Sequence, residues 1–271
     1  MSKLLDEHRA LFKTDKPVIG CLHMMALPGT PYYEKENTLE KQIERLNHDA
    51  KIFEDLGFDA VVFANEGDRP YLTTVGPEVV ADYTRIATEV SKNLTIPYGC
   101  GVLIDPFASI AVAHAIGAKF IRTYVSNSYV GSFGPQAFCP GEIFRYRKQI
   151  DAEEVHVYTY FEAHGGTCLD TRTTEQQIEA GFGVMPISGM LIGGPHAGLP
   201  PEEAHFVKIK QAFPDIPLIL GSGSNKDNIR TLLKYADGVI VGTSIKRDGY
   251  LYNEVDYDRA KAFIEAAKSV G

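Results

Sequence analysis

Two glycine-rich segments near the C-terminal end of the chain have the composition of an anion-binding site. Gly221-Ser-Gly-Ser224 follows one short apolar run, and Gly242-Thr-Ser244 follows another. Glycine lets a backbone approach an anion closely, and N–H groups at the start of a helix point toward it. Ser224 and Asp227 predict such a helix start directly after the first segment. The residues predicted to bind phosphate are Gly221, Ser222, Gly223, Ser224, Gly242, Thr243 and Ser244. The alternative is that Gly-Ser-Gly is only a tight turn.

Acidic and imidazole side chains are the second feature that could perform chemistry, because they stand where predicted strands end. Glu162 and His164 lie two residues apart, so an extended strand places both side chains on the same face. A carboxylate beside an imidazole is suited to proton transfer. We expect this pair to converge with Asp105 in one basin. The predicted catalytic residues are Asp105, Glu162, His164, Glu66 and His23, and the predicted substrate contacts are Asn65, His196 and Lys246.

Each of these residues also has an ordinary structural interpretation. Asp105 precedes a proline and is equally suited to capping a helix. His23 fits a buried core histidine, His196 an exposed loop residue, and Glu66 a solvated carboxylate. A divalent metal ion bound by His23, Glu66, Asp105 and His164 is a further alternative, although no close spacing of these ligands requires it. The sequence requires no cofactor.

The elements that must position these residues alternate between strand and helix along the chain. Eight strand-then-helix units with short connections predict the α/β class and a (β/α)8 TIM barrel, in which the loops after strands seven and eight commonly bind phosphate. A chain of 271 residues fits one such domain, with a helical extension over about residues 1–15. This extension would cover the closed end or contact another subunit. A doubly wound sheet is the runner-up, but the loop after the first strand is proline-rich where that fold needs glycines.

Residues 126–140 form the longest predicted loop and are rich in glycine, serine and aromatic residues. A loop of this length inside a compact domain is usually a binding loop or a lid. The alternative is a contact between subunits. We therefore expect this segment to be the mobile part of the site.

Composition excludes several classes of function. A net charge of −8 argues against a nucleic-acid partner, which would require a basic face. No apolar run is long enough to span a bilayer, and the N-terminus lacks the core of a signal peptide. The four cysteines lack zinc or disulfide spacing, and only Cys168 lies near a candidate site. These features predict a soluble cytoplasmic protein, and a homo-oligomer is expected.

Several motifs carry a family resemblance over nearly the whole chain. They are Val18-Ile-Gly-Cys-Leu-His23 with Leu27-Pro-Gly29, Asn65-Glu-Gly-Asp68, Asp105, Gly117-Ala-Lys-Phe-Ile-Arg122, Gly221-Ser-Gly223, and Gly238-Val-Ile-Val-Gly-Thr-Ser-Ile-Lys-Arg-Asp-Gly249 followed by Val255-Asp256. In these motifs the chain resembles the BtpA/SgcQ family. The resemblance implies a TIM barrel of the ribulose-phosphate-binding type and does not supply a reaction.

The chain also departs from the commoner family pattern at its predicted open face. Ala163 replaces a lysine before His164, Ala197 replaces a threonine before Gly198, and Val102-Leu-Ile104 replaces an asparagine-rich strand end. Substrate and activity can therefore differ from those of its relatives.

A phosphate anchor and acid/base groups in one basin predict an enzyme. A fixed phosphate holds the carbon skeleton, so proton transfer beside a carbonyl becomes effectively intramolecular. We expect an isomerase, an epimerase or an aldolase-type lyase that acts on a phosphorylated sugar or a related small metabolite. The alternative is a non-catalytic accessory or regulatory protein that binds a phosphorylated ligand or a partner protein.

Overall fold

The apolar runs of the sequence form short strands, most of which close into a parallel barrel. The computed structural model describes residues 2–195 and 198–270. Its strands are β1 (Val18–His23), β2 (Ala60–Ala64), β3 (Tyr98–Gly101), β4 (Phe120–Thr123), β5 (Ser128–Gly131), β6 (Gly134–Ala137), β7 (His156–Tyr160), β8 (Gly166–Cys168), β9 (Gly189–Ile192), β10 (Leu218–Leu220) and β11 (Val239–Val241). The closed barrel has the order β1-β11-β10-β9-β7-β4-β3-β2. The predicted TIM barrel is confirmed.

A helix follows each barrel strand and covers its outer face. The helices are α1 (Lys3–Phe12), α2 (Leu39–Asp55), α3 (Pro77–Ser91), α4 (Pro106–Ile116), α5 (Pro140–Gln149), α6 (Thr174–Val184), α7 (Glu203–Ala212), α8 (Ile229–Leu232) and α9 (Tyr257–Lys268). Side-chain caps fix the first residues of several helices. For example, the Thr173 hydroxyl accepts the Gln176 N–H, and the Gln176 side-chain oxygen accepts the Thr173 N–H. No helix in these described ranges is long and apolar enough to cross a membrane.

The core has two layers because side chains alternate along each strand. On β1, Val18 and Leu22 pack outward against the helices, whereas Ile19 and Cys21 belong to the cluster inside the barrel. Phe120 and Tyr158 fill that inner cluster from β4 and β7. The interior is therefore filled by side chains, and any ligand space has to lie at an end of the barrel.

Helix α1 lies across the N-terminal ends of the strands. The Phe12 ring makes an edge contact with Phe120, with their centroids 5.3 Å apart. The buried His8 donates from Nε2 to the Asp237 carbonyl and accepts the Tyr158 hydroxyl at Nδ1, both at 2.8 Å. This end of the barrel is closed, which leaves the C-terminal end for a site.

Residues 126–140 are not an irregular loop as expected. They contain the hairpin of β5 and β6, which turns at Ser132 and Phe133, and β8 pairs with β5 to complete a three-stranded antiparallel sheet. Gly134 at φ +75° permits the tight turn. The small sheet stands over the C-terminal end of the barrel, so the segment has a fixed register.

Two predicted boundaries at the C-terminal end of the barrel are also wrong. Strand β3 ends at Gly101, so residues 102–104 lie beyond the sheet. The helix expected from Ser224 begins only at Ile229 and has four residues. Asn225 Oδ1 accepts the N–H groups of Asp227 and Asn228, which forms a local turn in place of a helix start.

Candidate active site

A cavity of about 490 Å³ opens at the C-terminal end of the barrel, above the filled interior. All seven residues predicted to bind phosphate line it. The rest of its wall comes from loops and strand ends around the barrel, including His23, Glu66, Tyr71, Leu103, Ile104, Arg122, Tyr124, Ser132, Phe133, Tyr160, His164 and Tyr252. The predicted phosphate loops and three of the five predicted catalytic residues thus share one space.

The two glycine-rich loops are joined to each other. The Ser244 hydroxyl donates to the Ser224 carbonyl at 2.7 Å. The Ser224 hydroxyl is buried and lacks a hydrogen-bond partner in the described part of the chain. Within the same part, the loop N–H groups also lack acceptors; they belong to Ser222, Gly223, Ser224, Gly242, Thr243 and Ser244. Donors without acceptors at a cavity wall are suited to an oxyanion.

Gly223 supports this loop from behind. Its φ of +77° lies in the left-handed region, and a Cβ would stand 2.0 Å from backbone atoms of Leu199 and Pro200. A valine at Gly223 would therefore collide with the neighbouring backbone. Loss of binding in that variant would report misfolding of the loop and would not identify an anion site.

A buried ion pair lies on the other side of the cavity. Arg122 Nη2 donates to Glu66 Oε1 at 2.9 Å, and the Tyr71 hydroxyl donates to Glu66 Oε2 at 2.8 Å. His23 Nε2 is 4.0 Å from Glu66 Oε1. The exposed fractions of the Arg122 and Glu66 side chains are 10% and 15%. Both charges are largely out of water, so each depends on the other.

Burial and charge set the protonation of this group. Burial lowers the pKa of His23 to about 3, against a smaller opposing effect of Glu66. Burial opposes ionisation of Glu66, whereas the Arg122 guanidinium and the hydrogen bond from Tyr71 favour it, and the pKa of Glu66 is lowered. At neutral pH the site therefore contains a carboxylate, a guanidinium and a neutral imidazole.

His164 has a defined tautomer. Its Nδ1 lies 3.0 Å from the Gly194 carbonyl, which can only accept a hydrogen bond. Nδ1 therefore carries a proton and donates to that carbonyl. The His164 N–H donates to the Tyr124 hydroxyl at 3.1 Å, which fixes the backbone beside the ring. These two hydrogen bonds hold the His164 ring at the cavity wall.

Asp105 does not join this group. Its Oδ1 accepts the Ala108 N–H at the start of α4, and its Oδ2 accepts the Val75 N–H. Both oxygens hold backbone, so the capping interpretation is confirmed. A catalytic role for Asp105 has no support in this placement.

Glu162 lies in a second, smaller cavity of about 310 Å³ beside the first. Its carboxylate accepts the Thr174 hydroxyl at 2.9 Å and contacts the His205 ring. This bond to Glu162 raises the pKa of His205. The expected convergence of Asp105, Glu162 and His164 on one basin is therefore wrong.

The predicted substrate contacts are also corrected. Asn65 is fully buried; its Oδ1 accepts the Leu103 N–H at 2.7 Å and its Nδ2 donates to Asp68 at 3.0 Å. Asn65 therefore shapes the cavity wall through Leu103. Lys246 is fully buried and pairs with Asp49 at 3.0 Å, so it does not lend charge from the rim. His196 lies outside the described residues.

Two further expectations concern metals and thiols. The described residues contain no group of three or more His, Cys, Asp or Glu placed to hold a metal ion. All four cysteines are free. Burial raises the pKa of Cys21, which lines the cavity, to about 11, so its thiol is protonated at neutral pH. The Cys168 thiol donates to Gln177 Oε1 at 3.9 Å and packs against the hydrophobic core.

Comparison with known proteins identifies the family of the whole chain. The sequence pattern of the BtpA family matches residues 14–269. This chain belongs to the BtpA family. It is 32% identical over 252 residues to the putative sgc region protein SgcQ of Escherichia coli, covering 93% of this chain and 94% of SgcQ. It is 31% identical over 263 residues to the photosystem I biogenesis protein BtpA of Synechocystis, covering 94% and 89%.

Solved structures share the fold of this BtpA-family protein at low sequence identity. N-(5'-phosphoribosyl)anthranilate isomerase from Pyrococcus furiosus has a TM-score of 0.58 at 16% identity, covering 94% of this chain and 100% of the isomerase. A structure described as native KDPGal has a TM-score of 0.58 at 14% identity, covering 95% and 97%. These similarities show the barrel fold and do not identify a reaction.

Arg122 is the site residue that sequence reasoning missed. It stands within the apolar segment of β4, between the fully buried Ile121 and the buried Thr123. A charged residue in the middle of a parallel strand is costly unless a partner or a ligand meets it. An arginine in this apolar segment is therefore visible in the sequence as a candidate site residue, and in the structure Arg122 lines the cavity.

Proposed function

We propose that this BtpA-family protein is an enzyme that moves a proton on a small phosphorylated metabolite, as an isomerase, an epimerase or an aldolase-type lyase. One observation carries the proposal. A single cavity joins backbone donors that have no acceptors among the described residues to a carboxylate, a guanidinium and two imidazoles. A binding module needs only the first set.

The glycine-rich loops would hold the phosphate. Their N–H groups and the Thr243 hydroxyl provide donors, and the bond between Ser244 and Ser224 keeps the two loops at a fixed separation. A site built before the ligand arrives does not have to order its donors on binding, which favours affinity. The attraction comes from loop amides, since the helix that follows begins only at Ile229.

His164 Nε2 would accept the proton from the carbon skeleton. His23, neutral at physiological pH, would line the reacting end of the cavity without adding a net charge. The Glu66 carboxylate would hold Arg122 in place and is itself held by Tyr71. One solved neighbour in fold is an isomerase of a 5'-phosphoribosyl compound, so phosphorylated sugars are the first class to test.

Proton exchange in deuterated water tests this proposal. The purified protein is incubated with a panel of sugar phosphates, and deuterium incorporation at carbon is followed by NMR. His164→Asn keeps a donor to the Gly194 carbonyl but removes the basic nitrogen, so exchange should fall about 100-fold or more. His114→Asn changes an exposed histidine outside the cavity and should leave exchange unchanged.

The result also separates the two classes of function. Exchange that depends on His164 supports an enzyme. Tight binding of a phosphorylated compound without exchange would instead support a sensor or an accessory protein. Absence of both binding and exchange across the panel would overturn the phosphate assignment itself.

A further inference from the structure

The guanidinium of Arg122 is only partly used by the protein. Its Nη2 donates to Glu66 at 2.9 Å, and its Nη1 reaches the Tyr160 hydroxyl only at 3.5 Å. Its Nε is buried and has no acceptor within the described ranges. The side chain has room to enter the cavity because Gly101 on the adjacent strand has no Cβ, which would stand 3.2 Å from Arg122 Cγ. A buried donor of this kind calls for an acceptor on a ligand.

The charge around Arg122 restricts what that acceptor can be. Among the described residues that line the cavity, Glu66 is the only carboxylate and Arg122 the only guanidinium or ammonium. Glu66 already neutralises Arg122, and His23 adds no charge because burial keeps it neutral. A ligand carboxylate at Nε would meet the Glu66 carboxylate on the same guanidinium without a second cation to offset it. An uncharged oxygen avoids this cost.

Arg122 lies on one side of the barrel, and the second glycine-rich loop follows a strand on the opposite side. In the order of the closed barrel, three strands separate β4 from β11 on either side, so the two strands lie opposite each other. Arg122 is on β4, and Gly242, Thr243 and Ser244 follow β11. A ligand held at both places spans the cavity, with its phosphate at one end and its second polar group at the other.

We infer that Arg122 Nε binds the carbonyl oxygen of a phosphorylated hydroxyketone or hydroxyaldehyde, and that phosphorylated carboxylic acids are not substrates. The inference rests on the proposed function and names its substrate class. His164 Nε2 takes the proton from the carbon beside the carbonyl. The electron pair of that C–H bond forms a C=C bond, and the carbonyl π pair moves onto the oxygen. Arg122 donates to the resulting oxyanion, and the imidazolium formed at His164 by the proton transfer offsets the new negative charge, which a bound carboxylate would not generate. The proton then returns to a carbon, so no co-reactant is needed.

Three five-carbon phosphates that differ at one end test the inference by calorimetry. They are ribulose 5-phosphate with a carbonyl, ribitol 5-phosphate with an alcohol, and ribonate 5-phosphate with a carboxylate. The protein should bind the carbonyl compound about tenfold or more tightly than either of the others. Arg122→Lys keeps the positive charge beside Glu66 but removes Nε, so this preference should fall to within about twofold. A carboxylate that binds tightest, or a preference unchanged in Arg122→Lys, would overturn the inference.

Inorganic phosphate separates failure of the inference from failure of the proposed function. Thr243→Val should weaken inorganic phosphate binding, whereas Arg122→Lys should leave it unchanged once circular dichroism and melting show both variants folded. Phosphate that binds at the loops while all three compounds bind equally would overturn the inference alone. Phosphate binding lost in Arg122→Lys and kept in Thr243→Val would place the phosphate at Arg122 and also overturn it. No binding of phosphate or of any compound would overturn both.

Discussion

The neutral imidazole of His23 links the chemistry of single residues to the stability of the fold. In an unfolded chain the pKa of a histidine is about 6.5, whereas burial lowers the pKa of His23 to about 3. Between these values the unfolded chain binds a proton that the folded protein does not. The contribution of His23 to stability is therefore complete above pH 6.5 and declines as the pH falls toward 3.

This linkage predicts how a variant changes acid sensitivity. The free energy of unfolding, measured with urea at pH 7 and pH 5, should fall by about 2 kcal/mol more in the wild-type protein than in His23→Gln. His8, whose pKa burial also lowers, is common to both proteins and cancels in the comparison. Equal pH dependence in the two proteins would show that His23 takes up its proton in the folded state.

The sequence predicts site residues correctly where their side chains face the cavity. It fails where a side chain instead forms hydrogen bonds with backbone groups. His23, Glu66 and His164 line the cavity as their positions at strand ends suggested. Asp105 does not, because two backbone N–H groups bind its carboxylate. Which acceptor a backbone donor finds depends on how loops fold back on one another, and a one-dimensional pattern does not contain that.

At the scale of elements, one buried ion pair fastens the second glycine-rich loop to the outside of the barrel. Lys246 Nζ, just after the loop, donates to Asp49 Oδ2 on α2, and Asp49 Oδ1 accepts the Val255 N–H before α9. Burial lowers the pKa of Lys246, and Asp49 opposes that effect. Three segments of chain thus meet at one carboxylate.

Replacing Lys246 alone should lower the free energy of unfolding more than replacing Lys246 and Asp49 together. Lys246→Met leaves the buried Asp49 carboxylate without its ammonium partner and should lower the free energy of unfolding by about 3–5 kcal/mol. Adding Asp49→Asn removes that charge but keeps an acceptor for Val255, so the double variant should be more stable than Lys246→Met alone. Urea unfolding of both variants measures this. A double variant no more stable than the single one would show that packing, and not charge, dominates.

The hairpin of β5 and β6 contributes Ser132 and Phe133 to the wall of the cavity. Phe133 at its turn packs on Tyr71, with ring centroids 5.0 Å apart, and Tyr71 donates to Glu66. We predict that ribulose 5-phosphate slows hydrogen exchange over residues 126–140 and that Phe133→Ala removes most of that protection. Exchange that responds to protein concentration and not to ligand would indicate a subunit contact instead.

Elements were predictable where periodicity is strong and were missed where side chains bond locally. The residues of the hairpin predict a loop because its strands have four residues each and include glycine and proline. Ser224 and Asp227 predict a helix start after β10 because they resemble a cap pair, but Asn225 closes a turn first and the helix begins at Ile229. In both places short-range hydrogen bonds decided between alternatives that the residue types allowed.

At the scale of the whole molecule, stability and chemistry are concentrated at opposite ends of the barrel. Helix α1 closes the N-terminal end, where Phe12 is 3% exposed and packs on Phe120. Phe12→Ala should lower the free energy of unfolding by about 3–5 kcal/mol, measured with urea. Binding of inorganic phosphate, measured without urea where the variant is folded, should be unchanged. Loss of phosphate binding in the folded variant would show that the two ends are coupled.

The barrel itself could be predicted because it requires only the order and character of its elements. Eight alternations and buried β-branched strands leave few other ways to cover a parallel sheet. Oligomerisation stays a prediction, since surface complementarity between copies depends on shape that a sequence pattern does not describe. Light scattering at several protein concentrations measures it directly.

The burial of Lys246 gives the protein an internal reporter. An amine-directed reagent labels exposed lysines at once but reaches Lys246 only when the segment after the second glycine-rich loop opens, because that side chain is 0% exposed. A compound that holds the loop closed slows this opening, so it slows labelling at one site in the chain. Mass spectrometry of that one peptide would then rank the members of a metabolite library by their ability to protect it. The substrate could thus be sought without an assay for its reaction.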